Sequence, residues 1–154
     1  MMKLKLLYPV LISLFLTSCG NTIQNSPGNQ EQSLSEISST CQKEDLEGGA
    51  LWIKGQLEAF ADPDPRKAYG FASDEFRSNN SLEQFALIIS SGYSMLLNLD
   101  SFKIMSCEPS DNRFLFGVEI VDKENSKFAM QYILSKVGNT WGVEAASVTQ
   151  KLSA

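Results

Sequence analysis

The chain contains no histidine. That absence removes the Ser-His and Cys-His nucleophile systems, which need an imidazole to take the nucleophile's proton. It also removes the commonest nitrogen ligand of zinc, and with only three cysteines in the chain no metal-binding cluster is expected. There is no glycine-rich phosphate loop, no dinucleotide fingerprint and no internal repeat, so no cofactor is expected. Positive charge is scarce as well: 13 Lys and Arg stand against 18 Asp and Glu, a formal net charge of −5. Without a basic stripe interleaved with aromatics, such a surface repels phosphate backbones, and nucleic acid is not an expected partner. Long apolar runs are missing too. The run from Leu6 to Leu16 carries Pro9 and falls well short of the ~20 residues a spanning helix needs.

What the first residues do offer is the order of an export signal: Lys3 and Lys5, then the apolar run, then small polar residues before Cys19. Leu16-Thr17-Ser18-Cys19 resembles the lipobox of bacterial lipoproteins. The resemblance implies cleavage after residue 18 and a thioether-linked diacylglycerol on Cys19, whose fatty chains, palmitate among them, hold the protein to a membrane. Gly20 in the next position resembles an outer-membrane sorting signal. The plainer reading is an ordinary secretory signal with a chance cysteine. Both readings take the domain out of the cytoplasm. Cleavage removes two lysines and no acidic residue, so the net charge moves from −5 to near −7.

Residues 19–40 are dominated by Asn, Gln, Ser, Gly and Glu, a composition that buries too little surface to fold, and they read as a flexible tether. At ~5 to 6 Å times the square root of its length, the tether holds the domain on the order of 25 Å from the lipid. Once Cys19 is lipidated, Cys41 and Cys107 are left in a compartment where disulfides persist. A bridge between them stabilises by roughly 4 kcal/mol in the chain-entropy model. The alternative is two separate thiols, with Cys107 a small buried apolar residue in a strand and Cys41 exposed.

Residues 41–150 make one domain whose halves differ in period. Trp52, Ile53, Gln56, Leu57 and Phe60, and later Leu82, Phe85, Ile89, Tyr93 and Leu96, recur at helical spacing. Gly48-Gly49 leaves the start of the first helix open, and Asp62-Pro63-Asp64-Pro65 ends it. Asp64 caps a short second helix with Pro65 at its first position. Ser81 and Gln84 match a capping box for a third helix, apolar around most of its circumference and so expected to be well buried. After Leu99 the period becomes two. Phe114, Phe116, Val118 and Ile120, then Phe128, Met130, Tyr132 and Leu134, then Trp141, Val143 and Ala145, with a strand from near Phe102 before them, predict a four-stranded antiparallel meander. The fold class is α+β, helices packed on one face of a sheet.

Helices followed by a long curved antiparallel sheet resemble the nuclear transport factor 2-like superfamily, the cystatin-like cone. More closely, Trp52-Ile53, Gln56-Leu57, Ala59-Phe60, Asp64, Ala68-Tyr69 and Phe71-Ala72-Ser73, continued by Phe76, Phe85 and Tyr93, look like a bacterial family of domains of unknown function within it. These are packing positions and caps, so they imply a fold and no chemistry. The superfamily often encloses a pocket between helices and sheet, and its catalytic members pair aspartate with histidine or with tyrosine. Only the tyrosine pairing is open to a chain without histidine. The aromatic set reads first as core, and Trp52, Tyr93, Phe116, Tyr132 and Trp141 are the residues expected to line such a pocket.

Two functional classes are open to such a chain. The first is a non-catalytic membrane-tethered module that binds a small apolar ligand in the cone, or an envelope protein through the sheet, where relatives in the superfamily also form homodimers. The alternative is an acid/base enzyme using Glu119 or Glu144 on the predicted strands with Tyr93 or Tyr132, Tyr69 being a further hydroxyl donor. Asp62 and Asp64 are explained as turn and cap. A third class, an accessory subunit of a larger complex, needs an exposed apolar patch instead of a pocket.

Overall fold

The computed structural model describes residues 37–152. The signal, Cys19 and most of the tether lie outside the described residues. Three successive antiparallel pairings form the meander β2 (Leu99–Ser110), β3 (Arg113–Asp122), β4 (Lys127–Val137) and β5 (Thr140–Leu152). A short strand β1 (Ser38–Ser39) adds in parallel to β2 and makes the sheet five-stranded. The four-strand expectation is corrected on that point. Two residues with no alternating pattern carry no strand signal, and β1 exists because Ile37 reaches the core, Thr40 donates its amide to the carbonyl of Cys107 (3.0 Å), and Cys41 and Cys107 are joined by a disulfide. The packed unit therefore begins before Cys41.

Helix α1 (Lys43–Ala59) buries Leu46, Gly49, Ile53, Gln56 and Leu57, one face at helical spacing. It runs straight through Gly48-Gly49. A Cβ on Gly49 would stand 2.3 Å from the Phe116 ring and one on Gly48 2.7 Å from Trp141 Nε1. The pair that weakens helix propensity is what lets the helix lie directly on two sheet aromatics. Asp45 at its N-terminal end reaches Lys136 Nζ on β4 (2.7 Å), so an acidic residue of the first turn also ties helix to sheet.

Asp62 Oδ1 accepts the amide of Asp64, and Asp64 Oδ1 caps α2 (Pro65–Tyr69) through the Arg66 amide. A hydrogen bond from Lys67 holds the Asp62 carboxyl below the usual carboxylate range. Tyr69 donates its hydroxyl to Asn80 O (2.6 Å), which makes it a structural residue. Helix α3 (Asp74–Asn79) is capped by Ser73 Oγ. Helix α4 (Leu82–Gly92) opens with the full Ser81/Gln84 capping box. It buries only Phe85 and Ile89, while Leu87 is 67% and Ile88 40% exposed. The expected all-round burial is thus corrected: α4 packs on α2 and on the short α5 (Ser94–Leu97) at the edge of the helical layer. The break between α4 and α5 falls at Tyr93 (φ −135°, ψ 35°). No helix among the described residues is long and apolar enough to cross a membrane.

Register shifts interrupt the ladders at Leu99/Ser101, Ile104/Ser106, Ala129/Met130 and Ile133/Leu134. Each extra residue increases local twist and bends its strand, which is how the sheet curls around the helices. Asp122 is buried because its Oδ1 accepts the amides of Glu124 and Ser126 in the β3–β4 turn.

Candidate functional site

The curl leaves a cavity of about 80 Å³ between sheet and helices. Gln56 of α1, Phe60 just after it, Phe76 of α3, Phe85, Ile88 and Ile89 of α4, and Tyr93 form its helical side. Tyr132 of β4 and Val143 to Ala146 of β5 form its sheet side. The periodicity of two dictates that side: Tyr132 alternates with outward Gln131 and Ile133, so its ring enters the core and is 1% exposed.

Tyr132 is the exceptional group of the wall. Its hydroxyl is buried and has no hydrogen-bond partner, the one such side-chain atom among the described residues. Burial, reinforced by the neighbouring Tyr93, pushes its pKa far above the ordinary phenol value, so the hydroxyl keeps its proton. Buried polar atoms are nearly always paired, and an orphan of this kind loses a desolvation free energy of ~1 to 3 kcal/mol with nothing to offset it.

The other polar side chains of the wall each make a hydrogen bond or ion pair. Gln56 donates Nε2–H to Ala68 O (3.3 Å), and Tyr93 donates its hydroxyl to Ala146 O (2.8 Å). Glu144 is the extra residue of the Ile133/Leu134 register shift, and the bulge brings it to the cavity rim. Its carboxylate is paired with Arg113 at the start of β3, whose guanidinium also stands 4.0 Å from Glu75. No group of three or more Cys, Asp or Glu able to hold a metal ion occurs among the described residues.

Of the five residues expected in the pocket, Tyr93 and Tyr132 line it. Trp52 instead packs edge-on to Phe71 and donates its indole N–H to Phe71 O (2.9 Å). Phe116 is fully buried beneath Gly49, and Trp141 lies under Gly48 against Phe114. Phe116 and Trp141 fill the core where Gly48-Gly49 lets α1 press closest, which leaves no room there for a cavity, and Trp52 is half-buried against Phe71. Glu119 faces the other side of the sheet, where it lines a shallow groove of about 300 Å³ with Met105 and Gln131, away from Tyr132. Gln56 and Phe76 belong to the site in addition to the expected residues. An amide among the apolar residues of a buried helical stripe is the available sequence signal for Gln56; Phe76 gives none, since it depends on where the short α3 packs.

Comparison with known proteins bears on the fold and the family. A crystal structure of an NTF2-like protein of unknown function from Methylobacillus flagellatus KT superposes with a TM-score of 0.51 at 12% identity, covering 74% of this chain and 99% of that one. At that identity the likeness concerns the fold alone. A de novo designed protein with a curved β-sheet superposes with a TM-score of 0.45 at 14% identity, over 65% of this chain and 97% of the design. No curated protein matches the chain. The profile of a domain of unknown function, DUF4864, matches residues 43–154, which takes in all five helices and the whole meander. The chain therefore belongs to the DUF4864 family and carries its domain in a nuclear transport factor 2-like α+β fold.

Proposed function

We propose that this protein is an extracytoplasmic lipoprotein, anchored through a lipid on Cys19, whose domain binds a small molecule in the cone cavity. The observation that carries the binding reading is the unpartnered Tyr132 hydroxyl on a mostly apolar wall. A group left unsatisfied in the empty protein is a group a ligand can satisfy. Binding is favoured over acid/base catalysis by the state of its neighbours: Glu144 is engaged by Arg113 and Tyr93 by Ala146, so the buried unpaired atom is a donor and the carboxylate beside it is already paired. Anchoring is supported by the lipobox-like residues, by the tether composition, and by a disulfide of the kind that persists outside the cytoplasm.

Two measurements test this reading. In cells fed radiolabelled palmitate, the wild-type chain becomes labelled and Cys19→Ser does not; an unlabelled wild type contradicts the anchor. For binding, an organic extract of the parent cell envelope should raise the melting temperature of the full-length protein in lipid nanodiscs. A ligand at a hundred times its Kd stabilises by ~2.7 kcal/mol, which shifts Tm by several degrees in a domain of this size. An extract whose every fraction leaves Tm unchanged removes the binding reading.

A further inference from the structure

We propose that the cavity selects a neutral, largely apolar molecule bearing one hydrogen-bond acceptor, a ketone- or ester-type oxygen seated on Tyr132 Oη, and that α4 moves outward to admit it. The inference rests on the cavity-binding reading and adds to it the ligand's chemistry and its route.

The chemistry is set by what the wall has to spare. An anionic ligand needs a free cation; the Arg113 guanidinium is shared between Glu144 and Glu75, and that of Arg77, which donates to the carbonyl of the lining residue Ala72, is paired with Asp74. A cationic ligand needs a free carboxylate, and Glu144 is already paired. Charge brought into an apolar cavity without such a partner is strongly disfavoured by desolvation. What remains buried and unpaired is a single hydroxyl, a phenol that carries its proton at physiological pH and so acts as a donor. One donor amid Phe60, Phe85, Ile89 and Val143 matches one acceptor on a hydrocarbon body.

The route is set by size. At about 80 Å³ the cavity is far below the ~300 to 1,000 Å³ of sites for drug-sized ligands. On the opposite flank of α4, a second apolar groove of about 440 Å³ runs along the end of α1 and α2. The two spaces share Phe60, Phe85 and Ile89 as their dividing wall. Phe85 and Ile89 are the only buried residues of α4, and non-helical backbone bounds the helix at Ser81 (φ −68°, ψ 166°) and Tyr93 (φ −135°, ψ 35°). Outward displacement of α4 therefore withdraws two side chains and merges the spaces. The Tyr93–Ala146 hydrogen bond sits beside it as a latch.

The test uses full-length protein in lipid nanodiscs, with heptan-2-one, n-heptane and hexanoate as probes and tryptophan fluorescence from Trp52 and Trp141 reporting the melt. Wild type and Tyr132→Phe share the lipid background, so differences between them belong to the protein. In wild type the ketone raises Tm more than the alkane and hexanoate has no effect. In Tyr132→Phe the ketone binds about tenfold more weakly and falls to the level of the alkane. Amide exchange over Leu82–Gly92 is faster than in β3 in the empty protein and slows with the ketone. Equal shifts by ketone and alkane in wild type, or a larger shift by hexanoate, overturn the proposed ligand chemistry while the binding reading stands. Exchange in α4 as slow as in β3 overturns the route. If none of the probes shifts either protein, the binding reading falls together with the inference.

Discussion

Replacing Cys41 and Cys107 together, as Cys41→Ser with Cys107→Ala, lowers the free energy of unfolding by roughly 4 kcal/mol. The bridge spans a sequence separation of 66 and encloses all five helices, so it restricts the unfolded chain over more than half of the domain. In chain-entropy terms a loop of that length is near the upper end of what one crosslink contributes. Against a total stability of ~5 to 15 kcal/mol, that is enough to bring the domain close to unfolding. A local effect adds to the global one. The bridge fixes Cys41 just after β1, and with it the Thr40–Cys107 hydrogen bond and the seat of Ile37 in the core. Serine at the partly exposed Cys41 and alanine at the fully buried Cys107 avoid leaving a polar atom inside. In equilibrium urea unfolding the midpoint falls, and the slope rises because the unfolded chain is free to expand. An unchanged midpoint would mean that the packing of Ile37 and α1 supplies the stability instead.

Tyr132→Phe is expected to act in the opposite direction, raising the stability of the empty protein by about 1 to 2 kcal/mol. Most substitutions of a buried residue destabilise, so the sign is informative. The ring is retained and stays packed; what goes is a hydroxyl that gave up hydration on folding and found no partner. A sequence that keeps such a group where phenylalanine would fit holds stability below its attainable level, the pattern expected when a site serves binding. Urea unfolding of the ligand-free variant checks this. A loss of ~1 kcal/mol would show that the hydroxyl makes a stabilising bond in the empty protein and would remove the observation on which the site rests.

The helices with strong local signals were legible in the sequence. Ser81/Gln84 and Asp64-Pro65 mark their helix starts through backbone chemistry confined to four residues, and the alternation from Phe114 to Leu134 fixes which side of each strand enters the core. Features that depend on distant contacts were not. Strand β1 is two residues held by a bridge to a site 66 positions on. Gly48-Gly49 reads locally as a weak point, and only the Trp141 and Phe116 rings beneath explain a helix there. The apolar circumference of α4 suggested full burial, but its place at the edge of the helical layer leaves Leu87 in solvent and Ile88 partly exposed at the cavity's edge.

The same division holds at the site. Tyr93 and Tyr132 could be named from apolar periodicity, because ring-bearing positions on buried faces are candidates for any internal cavity. Where the cavity lies was decided by the close approach of α1, which packs Phe116 and Trp141 beneath Gly48-Gly49 and leaves space toward α4. Glu144 faces that space through a one-residue bulge, whereas Glu119, on an unbulged stretch, keeps to the opposite face. A bulge shifts the alternation and cannot be located from a period-two pattern alone.

The most direct test of a ligand seated on Tyr132 is a native mass spectrum of the full-length lipidated protein, isolated gently from its own membrane, beside that of Tyr132→Phe. A discrete small-molecule mass on the wild type, depleted in the variant, is the result expected. Two bare lipidated chains, identical apart from the substitution, would contradict it.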